Sequence, residues 1–128
     1  MSDKDLILVF IKMVIDKKFK GLVKEDYRYV FNGDIKTTES LEIDLGMRLF
    51  VSGCIEVGGS IEAGWSIEAG ESIEAGEFIK AGWSIKAGEF IEAGGFIKAG
   101  GYYGIVAGLS ITCKDTLSFG LKVLTGIS

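Results

Sequence analysis

The sequence predicts a mainly β fold in which short strands wind into a solenoid. Between positions 61 and 101 an isoleucine recurs at every sixth residue, with alanine two places and glycine three places after it. Six residues would turn an α-helix by about 600°, so the isoleucines would not form one stripe. Six is a multiple of the two-residue strand alternation, so isoleucine and alanine both face inward while the Glu or Lys between them faces outward. Each unit is a short strand followed by a glycine corner. The repeated isoleucines are Ile61, Ile67, Ile73, Ile79, Ile85, Ile91 and Ile97.

The tandem pattern Ile-Glu-Ala-Gly-x-Ser resembles the hexapeptide-repeat left-handed β-helix superfamily. This resemblance implies a left-handed parallel β-helix, a three-sided solenoid in which three hexads form one coil. Residues three hexads apart would then lie one above the other, as Trp65 with Trp83. The rhythm is also loosely similar to that of bactofilins, which are polymer-forming bacterial proteins.

The N-terminal third predicts a cap on this solenoid, within one compact domain. Ser2 and the acidic residues after it suit the start of an α-helix, the apolar run extends to Ile15, and Gly21 follows a lysine cluster. Alternating aromatic residues before Asn32-Gly33 predict a β-hairpin over 26–39. We therefore expect a helix and hairpin cap over 1–42 and the β-helix repeat region over 43–128.

Two shifts interrupt the six-residue spacing. Ile35 and Leu41 already follow it, but it reaches Ile55 only through a two-residue slip, which we place near 48–54. A second two-residue insertion lies at 102–104. The spacing then resumes at Ile105, Ile111, Leu117 and Val123. A bulge at a corner accommodates such an insertion without interrupting the stack.

Composition argues against several function classes. The chain has 128 residues, a formal net charge of −4 and no histidine. Hexapeptide β-helix acyltransferases use a histidine as general base, so the remaining enzyme hypothesis is a relative of these enzymes that lacks its catalytic histidine. The absence of histidine and of a Cys-x-x-Cys motif disfavours a zinc site. The acidic repeats disfavour direct nucleic-acid binding. We predict no enzyme activity, no catalytic residues, no metal and no cofactor.

Cellular location follows from the apolar segments and the cysteines. No apolar run of 18 residues occurs in the sequence, so we expect no membrane span. The N-terminal apolar stretch lacks a small-residue cleavage site, and Cys54 and Cys113 are expected to be unpaired and largely buried. These features predict a cytoplasmic protein.

Charge and aromatic residues provide the candidate binding surface. Stacking of coils predicts favourable pairs of Glu62 with Lys80 and of Glu68 with Lys86, whereas other glutamates would face glutamates. One interpretation is a solvated acidic face, with the tryptophans covered by the N-terminal segment. The other is a rigid acidic and aromatic surface that binds a basic protein surface, as an inhibitor of a nucleic-acid-binding protein would. Its predicted partner-binding residues are Trp65, Trp83, Glu71, Glu89, Glu74, Glu92, Glu77, Phe90 and Tyr102.

The alternative function is that of a structural subunit that associates with itself, as bactofilins do. An uncapped solenoid end exposes apolar side chains and strand edges. Two-fold pairing of such ends would produce a homodimer. The predicted self-association residues are Leu117, Phe119, Leu121, Val123, Leu124 and Ile127.

Overall fold

A computed structural model describes residues 12–100, 104–118 and 123–125, and in these ranges the ordered backbone is β-strand without any helix. The strands are short, mostly of three residues, because each is followed by a corner. In chain order they are β1 (Met13–Ile15), β2 (Leu22–Lys24), β3 (Arg28–Phe31), β4 (Ile35–Thr37), β5 (Leu41–Ile43), β6 (Arg48–Val51), β7 (Ile55–Val57), β8 (Ile61–Ala63), β9 (Ile67–Ala69), β10 (Ile73–Ala75), β11 (Ile79–Ala81), β12 (Ile85–Ala87), β13 (Phe90–Ala93), β14 (Ile97–Ala99), β15 (Ile105–Ala107), β16 (Ser110–Cys113), β17 (Leu117–Ser118) and β18 (Val123–Thr125).

From β3 onward, successive strands belong to different sheets, and this makes the fold a parallel β-solenoid. The first sheet has the order β1-β5-β8-β11-β14-β17, the second β18-β15-β12-β9-β6-β3-β2, and the third β16-β13-β10-β7-β4. From β4 onward, each strand pairs in parallel with the strand three places along the chain. The predicted solenoid with a three-strand coil is confirmed.

The strand register places equivalent residues of the repeat above one another. Ile79 pairs with Ile61 on one side and with Ile97 on the other. The corners continue the backbone ladder, as where the Gly76 N–H donates to the Val57 carbonyl oxygen at 3.0 Å. Backbone polar groups at these corners are therefore satisfied by the neighbouring coil.

The interior consists of the repeated aliphatic residues. Every repeat isoleucine from Ile55 to Ile97 and also Ile105 has an exposed fraction of 0%. The alanine two places later points to the same interior, and in most coils it is buried as well. Burying one such isoleucine stabilises the fold by roughly 1.5–3 kcal/mol. The hexad thus forms its own core by stacking on its copies.

The first register shift lies earlier in the chain than the sequence indicated. Leu41 pairs with Ile61 while Leu49 pairs with Ile67, so the two extra residues lie between β5 and β6 and not near 48–54. At this corner Gly46 has a φ of 75° and Leu45 is 3% exposed. The corner absorbs the insertion because Leu45 turns into the core and Gly46 adopts a left-handed conformation.

The second shift is confirmed between β14 and β15. Ile105 pairs with Ile85, and the chain from Ile85 to Ile105 is two residues longer than the preceding coil. Residues 101–103 lie outside the described ranges. Beyond this corner Ile111 pairs with Ile91 and Leu117 with Ile97, as the resumed spacing predicts.

The predicted N-terminal helix is wrong over its described part. Met13–Ile15 is strand β1, which pairs in parallel with β5. Residues 1–11, which contain the rest of that prediction, lie outside the described ranges. The apolar run suits a strand as well as a helix, and the free edge of β5 supplies the backbone partners that decide between them.

The predicted hairpin is wrong in position. β2 and β3 form an antiparallel pair in which Lys24 faces Tyr29, so the hairpin turn lies at 25–27. Asn32-Gly33 instead connects β3 in the second sheet to β4 in the third, and Gly33 has a φ of 126°. The dipeptide makes a solenoid corner, which needs the same backbone freedom as a tight turn. Parallel pairing with later coils includes β4 and also β5, which begins at Leu41, so it starts before residue 43.

Candidate functional site

The outer face of the third sheet carries a row of stacked carboxylates. The middle residues of its strands lie in register, with Glu74 between Glu56 and Glu92. Lys36 precedes this row and Thr112 follows it. We call Glu56, Glu74 and Glu92 the acidic ladder. Successive strands of a sheet are about 4.8 Å apart, so the ladder presents negative charge at a regular step.

A shallow groove of about 930 Å³ runs along this ladder. Corner glycines such as Gly76 and Gly94 line it, and Lys36 and Lys114 lie towards its two ends. The Nζ atom of Lys36 is 3.9 Å from Oε1 of Glu56, which neutralises only one end of the ladder. The groove therefore combines room for a ligand with an excess of negative charge.

Glu74 shows the electrostatic consequence of the stacking. Burial, and then the charges of Glu56 and Glu92, raise the pKa of Glu74 above its ordinary value of 4.5, while Lys36 opposes this shift. At neutral pH a carboxylate with a raised pKa is still charged, and keeping it charged in this environment costs free energy. A cation placed in the groove would remove that cost.

Aromatic side chains form a separate stack at the corner between the first and second sheets. The ring centroids of Trp65 and Trp83 are 5.7 Å apart and their planes differ by 3°. Their exposed fractions are 44% and 43%, so the described part of the chain leaves the rings partly exposed. Beneath them, the buried hydroxyls of Ser66 and Ser84 are hydrogen-bonded at 2.9 Å.

The predicted acidic and aromatic surface is divided among different sides of the solenoid. The Trp65/Trp83 stack lies at the corner that faces away from the third sheet, whereas Glu74 and Glu92 lie on that sheet. Glu71 and Glu89 lie at the corner between the second and third sheets, and Phe90 begins β13 in the third sheet. Glu77 lies between the third and first sheets, and Tyr102 is outside the described ranges. The structure brings Trp65 to Trp83 and Glu74 to Glu92, but not the two pairs together.

Three of the predicted partner-binding glutamates have hydrogen-bond donors within the chain. At the corners, Glu71 accepts from the Cys54 thiol at 3.2 Å, and Glu77 accepts from the Ser60 hydroxyl at 3.0 Å. Glu89 accepts from Ser72 Oγ at 3.3 Å. Each donor lies 17 residues before its acceptor, one residue short of a coil. That spacing is the sequence signal for these bonds, which link successive coils.

Cys54 is the centre of a small polar group. Its backbone N–H donates to Asp34 Oδ1 at 2.8 Å, and ligand atoms of Asp34, Cys54 and Glu71 lie within 4.8 Å of one another. A hydrogen bond from the Ser72 backbone lowers the pKa of the Cys54 thiol, but burial and the neighbouring carboxylates together raise it above its ordinary value. Oxygens of both carboxylates already accept from Cys54, so we assign no metal to this group. Cys54 and Cys113 are unpaired as predicted, but each is half-buried rather than largely buried.

Three of the predicted self-association residues, Leu117, Val123 and Leu124, lie in the last strands of the solenoid. β16, β17 and β18 are the last strands of the three sheets, and no strand in the described ranges pairs with their outer edges. Leu117 in β17 is 37% exposed. Val123 and Leu124 lie in β18, and the described ranges exclude Phe119, Leu121 and Ile127.

The predicted opposite-charge pairs are confirmed in the register, where Glu62 lies beside Lys80 and Glu68 beside Lys86.

Comparison with known protein families, curated proteins and solved structures gives no significant match. Over the described ranges, no helix has the length and apolar character needed to cross a membrane.

Proposed function

We propose that this chain is a non-enzymatic binding module whose acidic ladder receives a basic surface of another protein. The observation that carries the proposal is the position of Glu74 between two carboxylates in an open groove, with a raised pKa. Lysine or arginine side chains of a partner would offset this repulsion, and complementary charge favours fast and specific association.

The step of the ladder suits a row of cations on a helix. Residues one turn apart on an α-helix are separated by about 5.4 Å along its axis, close to the spacing of about 4.8 Å between the stacked glutamates. Three glutamates would therefore face lysines at i, i+4 and i+8. A surface that binds nucleic-acid phosphates offers such cations, and occupying it would make this chain an inhibitor.

The proposal includes the finer description of the fold, a left-handed β-helix of the hexapeptide-repeat type. It is supported by the parallel three-sheet coil and by the six-residue spacing of buried isoleucines. A rigid prism of this kind holds its outward side chains at fixed steps without ordering them on binding, which favours affinity. A crystal structure with right-handed coils would contradict this part of the proposal.

A direct test uses a helical peptide with lysines at i, i+4 and i+8 and measures its binding by fluorescence anisotropy. We expect the triple variant Glu56→Gln, Glu74→Gln, Glu92→Gln to weaken binding at least about tenfold, because each lost charge pair contributes a fraction of a kcal/mol or more. Added salt should weaken binding to the parent protein.

The control variant carries the same change in net charge at the corners, Glu71→Gln, Glu77→Gln, Glu89→Gln. Glutamine still accepts the hydrogen bonds of these positions, so this variant should bind the peptide within about threefold of the parent. Equal weakening in both variants, or no binding to the parent, would refute the acidic ladder as the site. Capture from lysate followed by mass spectrometry would then identify the natural partner.

The exposed Trp65/Trp83 stack is proposed as a second contact surface. Exposed tryptophans are typical of binding hot spots. Because these rings lie away from the acidic ladder, a compact partner on the ladder would not touch them. Replacing both with Ser should therefore leave binding of the basic peptide unchanged. A loss of peptide binding in this variant would place the peptide at the tryptophans instead.

A structural subunit is the second candidate function, supported by the open outer edges of β16, β17 and β18. Unpaired strand edges and an exposed Leu117 favour end-to-end pairing of two copies. Dimers observed by sedimentation should dissociate in the variant Leu121→Lys. Dimers that persist in this variant would exclude the end as the contact.

A further inference from the structure

The first sheet carries a second charged row with a different order. Its charged outward residues, in order along the solenoid, are Glu42, Glu62, Lys80 and Lys98, and Val14 and Ser118 occupy the register positions before and after them. We call the four charged residues the mixed ladder. They border a shallow groove of about 580 Å³ that is also lined by the corner glycines Gly64, Gly82 and Gly100, so a second surface can approach them closely.

Most of the mixed ladder forms no salt bridge in the described part of the chain. Glu42 pairs with Lys12, whose charge also acts on Glu62, but no salt bridge engages Glu62, Lys80 or Lys98 within the described ranges. Glu62 and the two lysines are exposed. Three charges on a flat face are thus available to a partner.

The order of the charges is self-complementary under a two-fold rotation. Read in one direction the row is negative, negative, positive, positive, and read in the other direction every sign is reversed. A two-fold axis that lies in the interface, parallel to the strands and midway between Glu62 and Lys80, would set Glu62 against the partner's Lys80 and Glu42 against the partner's Lys98. We propose that a second copy of this chain docks antiparallel on the mixed ladder, in an isologous contact.

Neither of the other faces has this property. The same operation on the acidic ladder would set Glu74 against the partner's Glu74, which like-charge repulsion opposes. The second sheet also places Glu68 beside Lys86, but Glu68 Oε2 is already 3.5 Å from Arg48 Nη1 and its side chain is 13% exposed. The mixed ladder is therefore the face that selects a second copy, and the inference does not depend on the proposed function.

The contact is small, which sets the expected strength. Four strands at about 4.8 Å and three residues at about 3.3 Å give a face of about 200 Å² per copy, well below the roughly 800 Å² of a standard stable interface. The dimer should therefore be weak, form at high protein concentration and dissociate as salt screens the charges.

The test is sedimentation velocity of the full chain over a concentration series up to about 0.5 mM, in buffer with about 20 mM and about 500 mM salt. The parent should dimerise at low salt, with an apparent dissociation constant at least about tenfold higher at high salt. The variants Lys80→Glu, Lys98→Glu (all acidic) and Glu42→Lys, Glu62→Lys (all basic) should each be monomeric. Their equimolar mixture should form dimers again.

Two controls separate the ladder from net charge. The fourfold variant with all four signs exchanged keeps the parent's net charge and its self-complementary order, so it should dimerise like the parent. The variant Lys36→Glu, Lys114→Glu changes net charge as much as the all-acidic variant but on the third-sheet side, so it should also dimerise. Circular dichroism of each variant checks that the β fold is kept.

Four results would overturn the proposal. One is a parent protein that stays monomeric at low salt, and another is an all-acidic variant that dimerises like the parent. The third is a mixture of folded all-acidic and all-basic variants without dimers. The fourth is a dimer lost on Leu121→Lys but kept in the all-acidic variant, which would assign association to the C-terminal end.

Discussion

At the scale of single residues, the stacking of similar units decides whether an outward charged side chain has favourable or unfavourable electrostatic neighbours. The register gives the Glu62 side chain neighbours of both signs, Glu42 and Lys80, whereas Glu74 has a glutamate on each side. A glutamate at the same position of the hexad therefore has a different electrostatic energy in different coils. The difference depends on the residue one coil away and not on the local sequence.

Glu74→Gln should raise the free energy of unfolding by about 0.5 kcal/mol at neutral pH and low salt, because it removes two like-charge contacts. The pKa of Glu74 is raised in the folded state, so the penalty is present above that pKa and disappears as the pH falls below the ordinary value of 4.5. Urea titrations at several pH values measure the effect. Glu62→Gln is the control and should change stability less at neutral pH, and a destabilised Glu74→Gln would contradict the argument.

Cys54 provides a residue-scale prediction on pH. Since its thiol pKa is raised, less thiolate is present near neutral pH than for an ordinary cysteine, and the thiol should react slowly with disulfide reagents. Glu71→Gln removes a negative charge next to the thiol, which should lower its pKa and speed the reaction several-fold. The rate is measured against pH in a Cys113→Ser background. An unchanged rate profile would refute the influence of Glu71.

Two glycines at the same place in the repeat should respond differently to alanine. A Cβ atom on Gly82 would lie 2.2 Å from the Gly64 carbonyl oxygen, whereas a Cβ atom on Gly64 would have no atom within 4 Å. The insertion between β5 and β6 enlarges the corner next to Gly64 and leaves that space. Gly82→Ala should cost about 1–3 kcal/mol, and Gly64→Ala should change stability by less than about 1 kcal/mol. Thermal unfolding of both variants measures this, and equal costs would contradict it.

At the scale of strands, the position within the stack sets the value of an aliphatic side chain. Ile79 in β11 is 0% exposed between two coils, whereas Leu117 in the edge strand β17 is 37% exposed. We expect Ile79→Ala to cost about 2–5 kcal/mol, because it leaves a cavity between fixed neighbours. Leu117→Ala should cost less, since less surface is buried there. Similar costs in urea denaturation would indicate that the end is covered.

Strands were the elements that the sequence predicted best where the repeat is regular, and worst where it is not. In the hexads from Ile55 to Ile97 the strands could be predicted from the sequence, since the six-residue spacing agrees with the pairing register of the strands. At Met13–Ile15 and at Asn32-Gly33 the local pattern favoured a helix and a hairpin turn. Pairing with strands distant in the sequence made them an edge strand and a corner instead.

At the scale of the whole molecule, each coil contacts its immediate neighbours, so stability should be graded along the solenoid. Amide hydrogen exchange should be slowest in the strands from β7 to β14, which have paired neighbours on both sides, and faster in β2 and in β16 to β18 at the sheet edges. Exchange followed by mass spectrometry measures this gradient. Uniform protection would show that the solenoid opens as one unit. In dimers of the mixed ladder the gradient should be unchanged, because that contact involves side chains.

The six-residue repeat alone was enough to predict the solenoid, the inward isoleucines and the stacking of Trp65 on Trp83, because a short repeat leaves one way to bury its aliphatic residue. Where the coil begins, where the first insertion lies and how the outward charges are distributed became visible only in three dimensions. Glu71, Glu74 and Glu77 are three residues apart, yet the winding sends them to a corner, a face and the next corner. Side chains that look like one acidic surface in the sequence are therefore separated, since each hexad turns the chain onto the next sheet.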